Sequence, residues 1–321
     1  MPVAVLYKFI DDQGYYLAAL LTYYAAVSLF PLLLLLVTGL GFALQHNPGL
    51  QQQVLHSAVI DVPVIGQQLA TNVHSLHGTV AGVAIGAVGA LWGGLSVAGA
   101  AQTVMNKLWA IPRVRRPNIG AFYARSLLLL VVLGIGVLLT TGLTALTTLE
   151  ADIGGDRAPL VRIGATILAA AVNMLLFLLG FRVLTAREFT LRQLRAGVVA
   201  AALTWQGLQE IGAYLVDHEL RGASATYGLF GIVLGLLTWL YLAMTAIILC
   251  AEINTVLVLR LWPRSLLTPF TTSARLTAAD HRAYTAYATT EQHAEQERIR
   301  VRFLRRAPSQ ADTQDPSSDP K

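Results

Sequence analysis

Long apolar runs separated by short polar islands dominate the chain. Six such runs cover residues 17–44, 79–108, 126–149, 160–184, 196–216 and 225–259. A helix rises about 1.5 Å per residue, so about 20 apolar residues cross the roughly 30 Å hydrocarbon core of a bilayer. The pattern therefore predicts an all-α, polytopic membrane protein built as a six-transmembrane-helix bundle. The first run is too long for the apolar region of a cleavable signal peptide, so we expect it to be retained.

The segments outside these runs divide the chain further. Residues 45–78 contain no Lys or Arg and place apolar residues at helical spacing, which predicts two short amphipathic helices on the outer face of the bilayer. We expect residues 1–262 to form the six-span membrane domain, with a kink at Pro31 in the first span. Residues 263–321 are predicted to form a polar cytoplasmic tail, and its Pro-, Ser-, Asp- and Gln-rich end to be disordered.

The distribution of Lys and Arg predicts the orientation. Twenty of the 23 basic residues fall on the side of the termini: one in the N-terminal lead, five around 107–125, four in 182–195 and ten beyond residue 259. The other side has only Arg157, Arg162 and Arg221. Because basic loops stay in the cytoplasm, both termini are predicted to be cytoplasmic, in a multi-pass protein of the cell inner membrane.

Composition agrees with a membrane protein and limits which disulfides, metal sites and cofactor sites the chain can form. Hydrophobic residues make up 55% of the chain and charged residues 13%, about half the charged fraction of a soluble domain. The single cysteine, Cys250, excludes an intrachain disulfide and a cysteine metal cluster. His74 and His77 share a helix face, but no third ligand is evident, so we expect a solvated pair and no metal. No cofactor is expected, and a nucleotide-binding P-loop is absent from the sequence.

Three motifs, which follow one another in the family's order along the chain, resemble those of the YihY/BrkB family of bacterial inner-membrane proteins. The first is AALLTYYAAVSLFP at 18–31, which includes Tyr23, Tyr24, Ser28 and Pro31. The last span begins with SATYG, which includes Tyr227 and Gly228, and ends with WLY followed by AEIN, which includes Glu252 and Asn254. The resemblance also takes in NKLW at 106–109 and covers about residues 5–260.

The resemblance implies more about location than about chemistry. Members of the family were formerly labelled ribonuclease BN, and others are named as virulence factors. Some relatives are connected with the export of lipid or lipopolysaccharide precursors. The resemblance therefore implies an inner-membrane protein of envelope biology, and it identifies no substrate.

Ionisable side chains inside a span are the strongest functional candidates, because a charge in hydrocarbon persists only when it is paired, hydrated or useful. Glu210 lies about 10 Å below the outer end of the fifth span, on one face with Gln206, Tyr214 and Asp217. This polar stripe is a candidate transport pathway. The alternative is that Glu210 only bonds another helix and holds the bundle together.

Two other polar residues of the spans favour structural roles. Glu252 lies about 40 Å from the start of the sixth span, so we expect it at the headgroup level, paired with a base such as Lys107 or Arg260. Asn173, near the middle of the fourth span, is expected to bond across helices, with a place on the pathway as the alternative.

Glycine spacings in the spans indicate contacts between helices, and arginines in the tail indicate contacts with lipid. The spacings Gly82-x3-Gly86, Gly89-x3-Gly93 and Gly231-x3-Gly235 favour close helix contacts within one bundle, and a homo-oligomer is the alternative. The tail arginines are expected to bind anionic lipid headgroups rather than RNA. They are Arg298, Arg300, Arg302, Arg305 and Arg306.

Two classes of function fit these features, and a third is disfavoured. The first is transport or translocation of a lipid, another amphiphile or a small solute. The second is a non-catalytic scaffold that recruits envelope or cytoplasmic partners. Ribonuclease activity is disfavoured because five of the seven histidines fall on the outer side, away from RNA, so we expect no enzyme and no nucleic-acid partner.

Overall fold

The computed structural model describes residues 1–44, 80–153, 158–215, 221–265 and 276–303. Within these ranges the chain forms eight α-helices and no strand. In chain order they are α1 (Pro2–Asp11), α2 (Gly14–Leu44), α3 (Val80–Leu108), α4 (Ile119–Ile153), α5 (Ala158–Leu184), α6 (Leu191–Leu215), α7 (Arg221–Val258) and α8 (Ala278–Thr290). The expected outer helices of residues 45–78 and the end of the tail lie outside the described residues, as does the His74 and His77 pair.

Each of the six predicted apolar runs coincides with one of the long helices, α2 to α7. Within the described residues, five of them contain stretches long and apolar enough to cross a membrane, over Gly14–Leu35, Gly82–Leu108, Ile119–Gly136, Ile167–Leu184 and Val233–Val258. The other long helix, α6, is less apolar, because Arg192 and Arg195 lie near its start and Gln206, Gln209 and Glu210 near its end. The chain is therefore an all-helical, multi-pass membrane protein.

The six long helices close into a ring. Each helix from α2 to α6 packs on the one that follows it, and α7 returns to pack on α2. Pro31 lies inside α2, which continues through it as a single helix. The short helix α1 lies across α7, and Gln13, with a φ of 58°, forms the turn between α1 and α2.

Glycines allow α3 to approach α2 closely. A Cβ added at Gly93 would lie 2.9 Å from Ser28 Cβ, and one added at Gly86 would lie 3.0 Å from the backbone of Leu35. Only a residue without a side chain fits at such distances, as in other membrane helix pairs. At these positions the glycine spacing serves packing within one bundle.

The described core lies at one end of the ring. It includes Leu17 near the start of α2, Leu108 at the end of α3, Leu194 near the start of α6 and Ile248 on α7. We call this the basic end, because α1 and the arginine-bearing connections 109–118 and 185–190 lie there. Large apolar side chains such as Ile85, Val88 and Ile167 are exposed farther along the helices, as expected of surfaces that face lipid.

Candidate functional site

Lys8 is an almost completely enclosed lysine at the basic end. It lies in the last turn of α1, one helical turn before Asp12, with which it forms an ion pair. Its Nζ donates a hydrogen bond of 3.0 Å to the backbone carbonyl of Leu108, the last residue of α3. The position suits a cation, because carbonyl groups at helix C-termini carry partial negative charge.

Glu252 faces Lys8 from α7. Its side chain is 0% exposed, and its Oε2 lies 3.7 Å from Lys8 Nζ. The hydroxyl of Thr255, one turn later, donates to the same Oε2 at 2.6 Å. The structure therefore gives Glu252 a partner on α1, whereas Lys107 and Arg260 were the bases expected from the sequence.

The Lys8 ammonium is held in its charged form. Burial by itself lowers the pKa of Lys8, but the carboxylates of Glu252 and Asp12 outweigh burial and raise the pKa above its ordinary value. The ring of Tyr287 from α8 covers this group, with Nζ 5.1 Å from the ring centroid, a distance at which a cation is attracted to the aromatic face.

A second ion cluster joins α8 to the bundle. Arg264, which follows α7, donates to Asp11 at 2.7 Å and to Asp280 at 2.5 Å. Asp280 also accepts hydrogen bonds from the backbone N–H groups of Thr277 and Ser265, and with Thr277 it forms the capping box that begins α8. The first turn of α8 is thus fixed to the N-terminal helix through one arginine.

The three charged groups of this second cluster titrate differently. Burial, together with the neighbouring charge of Asp12, raises the pKa of Asp11 although Arg264 lowers it. At Asp280 the hydrogen bonds from Thr277 and Ser265, together with Arg264, outweigh burial and lower the pKa. The two carboxylates in turn outweigh burial at Arg264 and raise the pKa of the guanidinium.

Two asparagines of the family-like motifs fix neighbouring elements. Asn254 Oδ1 accepts the backbone N–H of Gly197 at 2.7 Å and so joins α7 to α6. A Cβ at Gly197 would lie 2.3 Å from the carbonyl oxygen of Cys250, so only glycine fits there. Asn106 Oδ1 accepts the backbone N–H of Ala186 at 2.9 Å, which fixes the connection after α5 to α3.

The polar stripe predicted on the fifth span is described in part. Gln206 is exposed on α6, and Gln209 is exposed one turn away. Glu210 and Tyr214 belong to α6, but their side chains lie outside the described part of the structure, as does Asp217 altogether. On α5, Asn173 is half-buried.

The remaining motif residues lie on α2 and α7. Tyr23 is exposed, whereas Tyr24 and Pro31 are half-buried. Ser28 is half-buried and donates to the carbonyl of Ala25 at 2.8 Å, within its own helix. Tyr227 and Gly228 lie in α7, with side-chain surroundings outside the described part.

A small cleft opens between α6 and α7 above the basic end. It is lined by Ala201, Thr204, Trp205, Leu208, Ala243, Ala246, Ile247 and Cys250. The thiol of Cys250 donates a weak hydrogen bond to the Thr204 hydroxyl at 3.8 Å. The indole rings of Trp205 and Trp239 meet edge to face 6.1 Å apart, and Trp239 Nε1 is buried without a partner among the described residues.

Sequence reasoning identified Glu252 and Asn254 but missed Lys8, Asp12 and the Arg264 cluster. One local signal was present, because Lys8 and Asp12 are spaced by one turn in an otherwise mostly apolar lead. The pairing of Arg264 with Asp11 spans 253 positions of the chain and leaves no local pattern. Within the described residues, no group of three or more His, Cys, Asp or Glu side chains is arranged to hold a metal ion.

Comparison with known proteins agrees with the motifs. The family model described as virulence factor BrkB matches residues 5–268. No curated protein and no solved structure matches the chain. The matched region extends from α1 to just beyond Arg264 and contains Lys8, Asp12, Glu252 and Asn254. The protein belongs to the virulence factor BrkB family, also called the YihY/BrkB family.

Proposed function

We propose that this protein is an inner-membrane transporter that moves a lipid or another amphiphile along the polar face of α6. In this proposal α6 also crosses the membrane, as the fifth of six spans, both termini are cytoplasmic, and the segment 45–78 lies on the outer face. The chain acts by transport and not as an enzyme.

The position of α6 in the ring supports its crossing the membrane as one of six spans. Its neighbours α5 and α7 both contain apolar stretches long enough to cross a membrane, and α6 packs on each of them. At 25 residues, it measures about 37 Å, which exceeds the hydrocarbon thickness. Its lower hydropathy then marks a helix that is adapted to a polar surface within the membrane.

The exposed amides of Gln206 and Gln209 are the observation that carries the transport proposal. Gln206 lies about 22 Å along α6 from Leu191, at membrane depth. An amide that faces hydrocarbon leaves its hydrogen-bonding groups unsatisfied at considerable cost. Two such amides one turn apart therefore favour a surface that meets water or the polar headgroup of a bound molecule.

The surroundings of these amides suit an amphiphile. Leu203, on the same face of α6, is 70% exposed, and large apolar side chains are exposed on the neighbouring helices. The cleft lined by Thr204, Trp205 and Cys250 opens on the adjacent face. A polar headgroup could follow the amides while its acyl chains stay in the bilayer.

The tail offers a second contact with lipid. Arg298, Arg300 and Arg302 are exposed, whereas Ile299, Val301 and Phe303 between them are half-buried. Phe303 stacks on His281 of α8 with ring centroids 4.1 Å apart, which fixes the segment against the bundle. Three arginines on one exposed side would attract the anionic headgroups of the cytoplasmic leaflet.

Flux of a fluorescent phospholipid in proteoliposomes tests the proposal. We expect the protein to speed movement of the probe between leaflets, and Gln206→Leu with Gln209→Leu to abolish the gain. Leu191→Val, at the exposed start of α6 and away from the two amides, is the matched control and should keep the wild-type rate. If well-folded protein moves no lipid, lipopolysaccharide precursor or small solute, the scaffold function replaces transport.

A further inference from the structure

Three ionisable side chains are enclosed together at the basic end, and their charges do not cancel. Lys8, Asp12 and Glu252 have side chains that are 1%, 2% and 0% exposed. Fully ionised, they would carry one positive and two negative charges. An uncompensated charge in a site without water is unfavourable enough that a buried group takes up a proton instead.

The position of the two acids around one ammonium indicates where such a proton would lie. Asp12 Oδ2 and Glu252 Oε2 both contact Lys8 Nζ, the second of them at 3.7 Å. Two carboxylates at one ammonium repel each other, and a proton taken up by the pair removes that repulsion. In addition, Glu252 Oε1 is fully enclosed and receives no hydrogen bond from any residue that the structure describes.

The other groups around the pair do not neutralise the excess charge. The carbonyl of Leu108 on α3 and the hydroxyl of Thr255 on α7 contact the cluster, and both are uncharged. From α8 comes the ring of Tyr287, which lies over Lys8. On α1, Asp11 is bonded to Arg264, whose guanidinium is also bonded to a second carboxylate.

We propose that Asp12 and Glu252 share one exchangeable proton at neutral pH, beside the Lys8 ammonium, as a proton-binding site that joins α1 to α7. With the proton bound, the cluster has one positive and one negative charge and is neutral. Release of the proton to the solvent leaves a net negative charge inside the cluster. The use of this proton to drive transport rests on the proposed function, whereas its presence does not.

Infrared spectroscopy of the purified protein tests the site directly. We expect the carbonyl-stretch band of a protonated carboxylic acid at neutral pH, shifted in heavy water because the proton exchanges. The band should be lost in Glu252→Gln and in Asp12→Asn, and it should disappear from the wild type as the pH is raised. The exposed Glu188 offers the matched control, because Glu188→Gln should leave the band unchanged.

Isotope labelling removes the dependence on variants that fail to fold. The band should move to lower frequency in wild-type protein whose Glu and Asp side-chain carboxyls are labelled with carbon-13. A folded protein without the band at neutral pH, or a band that Glu252→Gln and Asp12→Asn both leave in place, overturns the proposal. Flux in proteoliposomes with and without a pH gradient is scored separately, so the band can be present where lipid transport is absent.

Discussion

Lys8 on α1 and Glu252 on α7 face each other inside the protein, with Nζ and Oε2 3.7 Å apart. Removal of one member of a buried ion pair leaves the other charge uncompensated, at a cost of about 3–5 kcal/mol. We therefore expect Lys8→Met to lower the melting temperature in detergent markedly. The triple variant that adds Asp12→Asn and Glu252→Gln should recover part of the loss, because it leaves no charge of the cluster uncompensated. An equal loss in Lys107→Met, which removes the base expected from sequence, would contradict this pairing.

Gly197 should be intolerant of a side chain. A methyl group there would lie 2.3 Å from the Cys250 carbonyl oxygen and would disturb the hydrogen bond to Asn254. We expect Gly197→Ala to destabilise the protein by about 1–3 kcal/mol, the usual cost of overpacking. Gly207→Ala in the same helix is the control, because nothing lies within 4 Å of its added Cβ. Comparable melting temperatures for the two variants would refute the close contact of α6 with α7.

Asp280 should make the docking of α8 sensitive to acid. Its pKa is lowered from the ordinary value of 3.8, so its contribution to stability is complete above that value and is lost as the pH falls through the folded-state pKa. We expect Asp280→Asn to have a lower melting temperature than wild type at neutral pH. This difference in melting temperature should disappear in acid. The measurement is the melting temperature of both proteins as a function of pH. A difference that stays constant down to the lowest pH would count against the prediction.

Glu210 distinguishes a hydrated pathway from a bond that only holds helices together. Along a pathway, Glu210→Gln should fold normally but lose transport, because the amide keeps the volume and removes the titratable charge. As a structural bond, Glu210→Gln should be nearly neutral, and Glu210→Leu should lower stability by about 0.6 kcal/mol. Flux and melting temperature, measured on both variants, separate the roles. Full transport by a well-folded Glu210→Gln protein excludes a role for the charge.

Labelling of single cysteines tests the topology. In a Cys250→Ser background, a cysteine at Gln53 or Thr71 should react with an impermeant reagent added outside the inner membrane. A cysteine at Arg115 or Gln310 should react only from the cytoplasm, because the basic loops are expected there. Labelling of Gln53 only after the membrane is broken would reverse the orientation.

The sequence by itself determined that this is an all-helical membrane protein and where its long helices run. Length and apolar content are properties of each segment alone, so the six apolar runs and the helices α2 to α7 coincide. The family was also readable, because its motifs lie within short stretches of α2, α3 and α7. Glu252 stood out for the same local reason, as a carboxylate at the end of an apolar run.

Only the tertiary structure decided which charges meet. Lys8 comes to Glu252, and Arg264 to Asp11 and Asp280, because the ring closes α7 onto α2 and lays α1 across α7. The need for glycine at residue 197 likewise arises from the approach of α7 and not from α6 itself. A charge in an apolar segment indicates that some partner is required, but the low dielectric of the interior acts between atoms in contact, whatever their separation along the chain.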